Sequence, residues 1–297
     1  MEKTRQNKRE SEKGTFSKLK AILELARFEH GIMYGLAVFI GIVLVSGFSS
    51  IFALPPVLGF LTALLIEMGA FALNDYIDLK ADIINKRYDR PLVRGDIKRE
   101  TALHTTIICF FAGIILSFFI SLECLSVAVL FSLMSVAYNY KLKRYSILGN
   151  LFIAATMALP FVFGALIAGS INEAILVLSG IVFIIGLGRE MMKDIEDMKG
   201  DKAIGAKTLP ILVGPKRATY SIAICYILGI FLSALPVLTF FKMKPLYLSI
   251  IPVDLIFLYV SFSILKRQDI ITLKRGRKLT LLGSALALVA FFLAAVS

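Results

Sequence analysis

Apolar residues run along this chain in long stretches, divided by short segments dense in Lys, Arg and Asp. A helix needs roughly 20 apolar residues to cross a hydrocarbon core about 30 Å thick. Nine stretches approach that length. They predict spans at 28–47, 52–73, 102–121, 124–140, 148–168, 172–190, 218–240, 246–265 and 279–296. A tight turn around Ser121–Glu123 divides the third from the fourth. Pro160 and Pro252 fall inside spans, where neighbouring helices can satisfy the freed backbone groups. The pattern predicts an all-α, polytopic membrane protein. A basic segment over 1–27 would precede a single transmembrane domain over 28–297, with its chemistry in connecting loops at 74–101 and 191–217.

Composition supports this reading. Hydrophobic residues make up 58% of the 297 positions and charged residues only 18%, whereas a soluble domain holds roughly 45–50% apolar residues. Lys and Arg number 33 against 21 Asp and Glu. That balance fits nucleic acid or a membrane surface, and the apolar bulk decides for the bilayer and against nucleic acid. No short apolar run ends in a small-residue cleavage site, which predicts no signal peptide. Cys109, Cys124 and Cys225 lie in or beside apolar stretches without CxxC spacing and read as packing residues. All Lys and Arg except Lys242 and Lys244 fall in the amino-terminal segment, in alternate connections or at their borders. This is the positive-inside distribution, and it predicts a cytoplasmic amino terminus in the cell membrane.

Two acidic patterns stand out against this background. After span 2 the chain reads Asn74-Asp75-x-x-Asp78-x-x-x-Asp82, and after span 6 Lys193-Asp194-Ile-Glu196-Asp197-x-x-Gly200-Asp201. Each places three aspartates at i, i+3 and i+7, one face of a helix. Like charges so arranged repel unless a cation sits among them. Oxygen donors of this kind suit a hard divalent ion such as Mg2+. Four spans separate the patterns, so both end on the cytoplasmic side, as in a parallel internal repeat. Two facing carboxylate sets could hold metal ions that bridge an anion, and diphosphate is the natural candidate. Transport of a cation or an anionic metabolite is the rival reading, since repeats and charges at membrane depth fit it too.

Further residues qualify for this site. Arg87, Arg90 and Arg94 follow the first pattern, Lys193 opens the second, and Lys207 follows it. Span 4 ends in Tyr138-Asn139-Tyr140-Lys141-Leu142-Lys143-Arg144 on the same side. Any of these cations could hold phosphate oxygens, Lys141 and Arg90 foremost. Glu67, two turns before Asn74, and His30, at the start of span 1, qualify as acceptor contacts, because ionisable groups at membrane depth tend to face the protein interior. Asp254 lies towards the outer side, away from the acidic patterns.

The paired motifs, Arg90-Pro91, the Tyr138-to-Arg144 segment and the nine spans together resemble the UbiA family of intramembrane prenyltransferases over nearly the whole chain. The resemblance implies nine helices around a central cavity, with the two motifs facing each other. It implies Mg2+ held by Asn74, Asp75, Asp78 and Asp82 and by Asp194, Asp197 and Asp201. An isoprenyl diphosphate would be the donor and a lipophilic molecule the acceptor. In that reading Asp78, Asp82, Asp197 and Asp201 carry catalysis, and the Tyr138 ring steadies an allylic cation. The lead-in Arg189-Glu190-Met-Met-Lys193 looks most like archaeal geranylgeranylglyceryl-phosphate geranylgeranyltransferases, which act in ether-lipid synthesis. That subgroup usually carries Arg-Pro-x-Asn at the first span, where this chain has Arg27-Phe28-Glu29-His30. Aromatic quinone precursors, 4-hydroxybenzoate or dihydroxynaphthoate, therefore stay open as acceptors.

Overall fold

The structure, a computed structural model, describes residues 17–203, 205–239 and 245–296. Most of the basic segment 1–27, together with Lys242 and Lys244, lies outside the described residues. Nine helices among the described residues are long and apolar enough to cross a membrane. They contain α1 (Phe28–Ser46), α2 (Leu54–Ile84), α3 (Arg99–Phe118), α4 (Leu122–Tyr140), α5 (Ser146–Ile167), α6 (Glu173–Ala203), α7 (Pro215–Leu232), α8 (Ile251–Lys266, continuous with the 3-10 turn Pro245–Ile250) and α9 (Ile270–Val296). No strand occurs among the described residues. The protein is an integral, multi-pass membrane protein.

Local chemistry sets several helix starts. Pro55 and Pro56 open α2, and Pro215 opens α7, positions where a missing N–H costs nothing. Ser121 caps α4 by accepting from the Cys124 amide at 3.1 Å. Asn172 does the same for α6, accepting from Ile175 N at 3.1 Å, while its own amide donates to Leu44 O of α1 at 3.0 Å.

The helices form a closed ring. Neighbours in sequence pack together, and α9 returns against α1. The α1–α5 crossing depends on glycine. A Cβ on Gly41 would lie 2.3 Å from Phe161 O, and one on Gly164 would lie 2.1 Å from Val38 O. Small residues let helix backbones approach in a medium where apolar burial drives nothing. Helix α3 packs outside α2 and turns Ile108, Phe111 and Phe118 outward, as a lipid-facing helix must. Cys109 and Cys124 are buried, Cys225 is half-buried, and all three are free thiols.

One difference from the predicted spans matters for function. Helices α2 and α6 each run 31 residues, about 46 Å at the helical rise. That exceeds a hydrocarbon core of about 30 Å by several turns. The acidic patterns expected in loops at 74–101 and 191–217 therefore lie on these helices, up to Ile84 and Ala203. Polar side chains do not end a helix whose backbone bonds stay intact. Here the two polar extensions pack on one another.

Candidate active site

Helical periodicity brings the two patterns to one cavity. Asn74, Asp78, Ala81, Asp82 and Asn85 of the α2 end line one wall. Glu190, Lys193, Asp194, Asp197 and Asp201 of α6 line the wall opposite. Both sets step by three or four residues, the spacing of a single helix face. Asn85 ties the walls together. Its Oδ1 accepts from Gly200 N at 2.8 Å, and its Nδ2 donates to Asp197 O at 3.2 Å. Gly200 is required there, since a Cβ would stand 2.4 Å from Asn85 Nδ2 and 2.9 Å from Ala81 O.

The acids are individually held. Asp78 pairs with Lys143, and Asp82 with Arg90. The Asn74 amide donates to Asp78 Oδ2 at 2.9 Å and to Asn139 Oδ1 at 3.0 Å, which leaves its carbonyl oxygen as a donor to a cation. Asn150 donates to Asp194 at 2.9 Å. Arg87 pairs with Asp197 at 2.7 Å. Asp201 makes no ion pair among the described residues. Burial lowers the pKa of the Lys143 ammonium, and Asp78 opposes the shift. Burial also acts against the Arg90 charge, but Asp75 and Asp82 outweigh it and hold its pKa above the ordinary value.

Asp75 departs from the expected metal set. It is buried, points away from the cavity, and pairs with Arg27 at 3.1 Å and Arg90 at 3.0 Å. It lies only about 20° around the helix from Asp82 but two turns deeper, where the two arginines rather than the cavity claim its carboxylate. Lys141 is a second departure. It is exposed after the last turn of α4, and the 3-10 turn Leu142–Arg144 carries Lys143 to the cavity in its place. Lys207 is exposed too, its backbone bridged to Tyr145. Arg87 stands behind the wall, bound to Asp197 and Asp89. Of the expected cations, Arg90, Lys143 and Lys193 line the cavity. Sequence spacing carried no signal for Asn85, Asn139 and Asn150. Lys143 was a candidate at the end of span 4, behind the favoured Lys141.

The cavity opens towards an apolar chamber of about 220 Å³ walled by every long helix except α3. Asn74, Tyr138 and Lys193 border both spaces. Tyr138 is buried and stacks on Phe152 at 5.1 Å. His30 and Glu67 line the chamber. Asp254 lines it as well, at the outer end, where Ser233 donates to its carboxylate at 2.9 Å. Phe161, Tyr247 and Phe291 close that end, with Tyr247 stacked on Phe291 at 6.2 Å.

The donor set suits a hard divalent cation. Asp78, Asp82, Glu190, Asp194, Asp197 and Asp201 face only Arg90, Lys143 and Lys193 across the cavity, an excess of negative charge. All the donors are oxygens, the preference of Mg2+. No trio of His, Cys, Asp or Glu among the described residues is gathered tightly enough to cage one ion. Mg2+ typically takes one or two carboxylates, keeps several waters and shares the rest of its shell with substrate phosphates. Walls of separated carboxylates match that mode.

Comparison with known proteins agrees with this geometry. The family model described as the UbiA prenyltransferase family matches residues 34–282. Digeranylgeranylglyceryl phosphate synthase of Archaeoglobus fulgidus is 37% identical over 279 residues, 92% of this chain and 94% of that protein. A solved structure of a digeranylgeranylglyceryl phosphate synthase, studied in membranes, is 32% identical, with a TM-score of 0.69 over 94% of this chain and 99% of that one. A UbiA homolog from Archaeoglobus fulgidus bound to DMAPP and Mg2+ shares the fold at 19% identity, with a TM-score of 0.63 over 91% of this chain and 99% of that one.

Proposed function

Since the chain belongs to the UbiA prenyltransferase family, we propose that it transfers a geranylgeranyl-type group from its diphosphate to geranylgeranylglyceryl phosphate, with Mg2+, inside the membrane. One observation carries this reading: two acidic helix faces line a single cavity at the mouth of an apolar chamber. Relatives named for this reaction support the acceptor. The excess of Lys and Arg on the side where the cavity opens supports a cytoplasmic mouth.

In this reading the diphosphate of the donor lies in the cavity and its isoprenyl tail in the chamber. Asn74, Asp78, Asp82, Asp194, Asp197 and Asp201 would hold Mg2+, which when bound neutralises the diphosphate as a leaving group. Lys143, Lys193 and Arg90 donate charge-assisted hydrogen bonds to its outer oxygens. As the carbon–oxygen bond breaks, its electron pair leaves with the diphosphate, and positive charge develops on the allylic carbon. The face of Tyr138, at the junction of the two spaces, stabilises that charge. The acceptor hydroxyl attacks the same carbon and releases its proton. Phe152, Phe161 and the other apolar walls exclude water that would otherwise capture the cation.

The test is an acceptor panel. Purified protein receives radiolabelled geranylgeranyl diphosphate with geranylgeranylglyceryl phosphate, 4-hydroxybenzoate or a dihydroxynaphthoate, with and without Mg2+. Label should enter the glyceryl phosphate lipid alone, and only with the metal. Label in an aromatic acceptor would refute the acceptor, and label in none would refute the reaction.

A further inference from the structure

Resting on the reaction proposed above, we propose that Arg189, with His30 across the chamber, forms a second anion site that binds the phosphate group of the acceptor lipid. The argument starts from an unbalanced charge. Arg189 lies on α6 at membrane depth and lines the chamber. Apart from Glu67, whose carboxyl neighbours the Tyr34 hydroxyl, the other charged groups there have partners. Arg27 is paired with Asp75 at 3.1 Å and lies over the Phe71 ring at 4.2 Å. Lys193 is paired with Glu190 at 2.8 Å. Asp254 is bonded to Ser233 at the far end. Arg189 makes no ion pair among the described residues, and its Nη1 alone has acceptors there, both neutral: Thr280 Oγ1 at 2.7 Å and Arg277 O at 3.3 Å. A cation in a low-dielectric wall is costly unless an anion arrives.

Position selects the anion. Arg189 precedes Lys193 by four residues on the same helix face, about 6 Å deeper. It therefore stands just inside the mouth, below the layer that holds the donor diphosphate. Arg189 does not line the aspartate cavity. That cavity repels any anion not accompanied by metal, so a second phosphate is better received by the guanidinium. The planar fork of Arg suits a phosphate monoester in bidentate contact. His30 faces the same space, packed edge-on against Phe71 at 5.2 Å. An acceptor phosphate held at Arg189 leaves the neighbouring glycerol hydroxyl one short step from the donor carbon at the mouth.

The experiment compares two acceptors that differ only in this group, geranylgeranylglyceryl phosphate and geranylgeranylglycerol. The readout is the ratio of their kcat/KM values in the wild-type protein, Arg189→Gln, Arg189→Lys and Thr280→Val. Wild type should prefer the phosphate ester. Arg189→Gln should reduce the ratio on the order of 30-fold, through KM for the phosphate ester, as expected for one lost charge-assisted contact. Arg189→Lys should restore part of the ratio. Thr280→Val removes the shorter of the two bonds to α9 but keeps the cation, and should retain the preference. An unchanged ratio in Arg189→Gln would overturn the inference, as would loss of preference in Thr280→Val to the same degree. Wild type inert towards both acceptors would overturn the underlying reaction, and the inference with it.

Discussion

Gly200→Ala tests whether the two motifs depend on direct contact between α2 and α6. The new Cβ would stand 2.4 Å from Asn85 Nδ2, 2.8 Å from Asn85 Cγ and 2.9 Å from Ala81 O. The Asn85 amide can rotate away, but Ala81 O is backbone, so the helix ends must part by about half an ångström to reach ordinary contact. Rotation sacrifices the bonds from Gly200 N and to Asp197 O. Each contributes about 1 kcal/mol net, and more where a buried group is left unpaired. Greater helix propensity of Ala returns up to about 1 kcal/mol. The balance is a loss of about 1–3 kcal/mol. Widening of the cavity should lower kcat/KM roughly tenfold or more, since small misplacements of reacting groups are expensive. Gly180→Ala is the control: it lies on the same helix, and its Cβ would meet nothing within 4 Å. Unfolding midpoints in detergent and prenyl-transfer rates would be measured on both. Gly200→Ala matching Gly180→Ala in both measurements would refute the clamp.

Other consequences are as direct. Lys143→Ala should reduce kcat/KM on the order of 100-fold by removing a cation from the diphosphate pocket, while Lys141→Ala, at an exposed position, should stay near wild type in the same assay. Asp75→Asn leaves Arg27 without its carboxylate and Arg90 with one fewer; it should destabilise the protein by about 3 kcal/mol in a denaturation series, with little dependence on Mg2+ concentration. Asp78→Ala and Asp197→Ala should each abolish transfer while the protein still folds; normal turnover in either would remove that aspartate from the mechanism. Chelation of divalent ions should stop transfer reversibly, and restored Mg2+ should recover it; full activity in excess chelator would exclude a metal-bound diphosphate.

Nine spans and the paired acidic patterns were legible because each is a one-dimensional property. A bilayer of fixed thickness demands apolar runs of fixed length. A helix face repeats every three to four residues, so Asp78 with Asp82, and Asp197 with Asp201, were recognisable as pairs before any fold existed. The same logic misled at Asp75. Its spacing matches the motif and it lies on the face of Asp82, but it stands two turns deeper, where Arg27 and Arg90 take it. It also misled at the helix ends, because hydropathy records where lipid stops rather than where hydrogen bonding stops.

Tertiary structure decided what depends on neighbours from distant parts of the chain. Lys143 rather than Lys141 reaches the cavity because a single 3-10 turn after α4 rotates one in and the other out. Asn85 becomes a clamp only when Gly200 of another helix meets it, and Asn150 finds its role only beside Asp194. Arg189 stands out only once the carboxylates near it are matched to other cations. Span length and helix face follow from local order, which the sequence contains in full. Which charges neutralise one another is settled by packing, because the interaction depends on distances that only the folded chain defines.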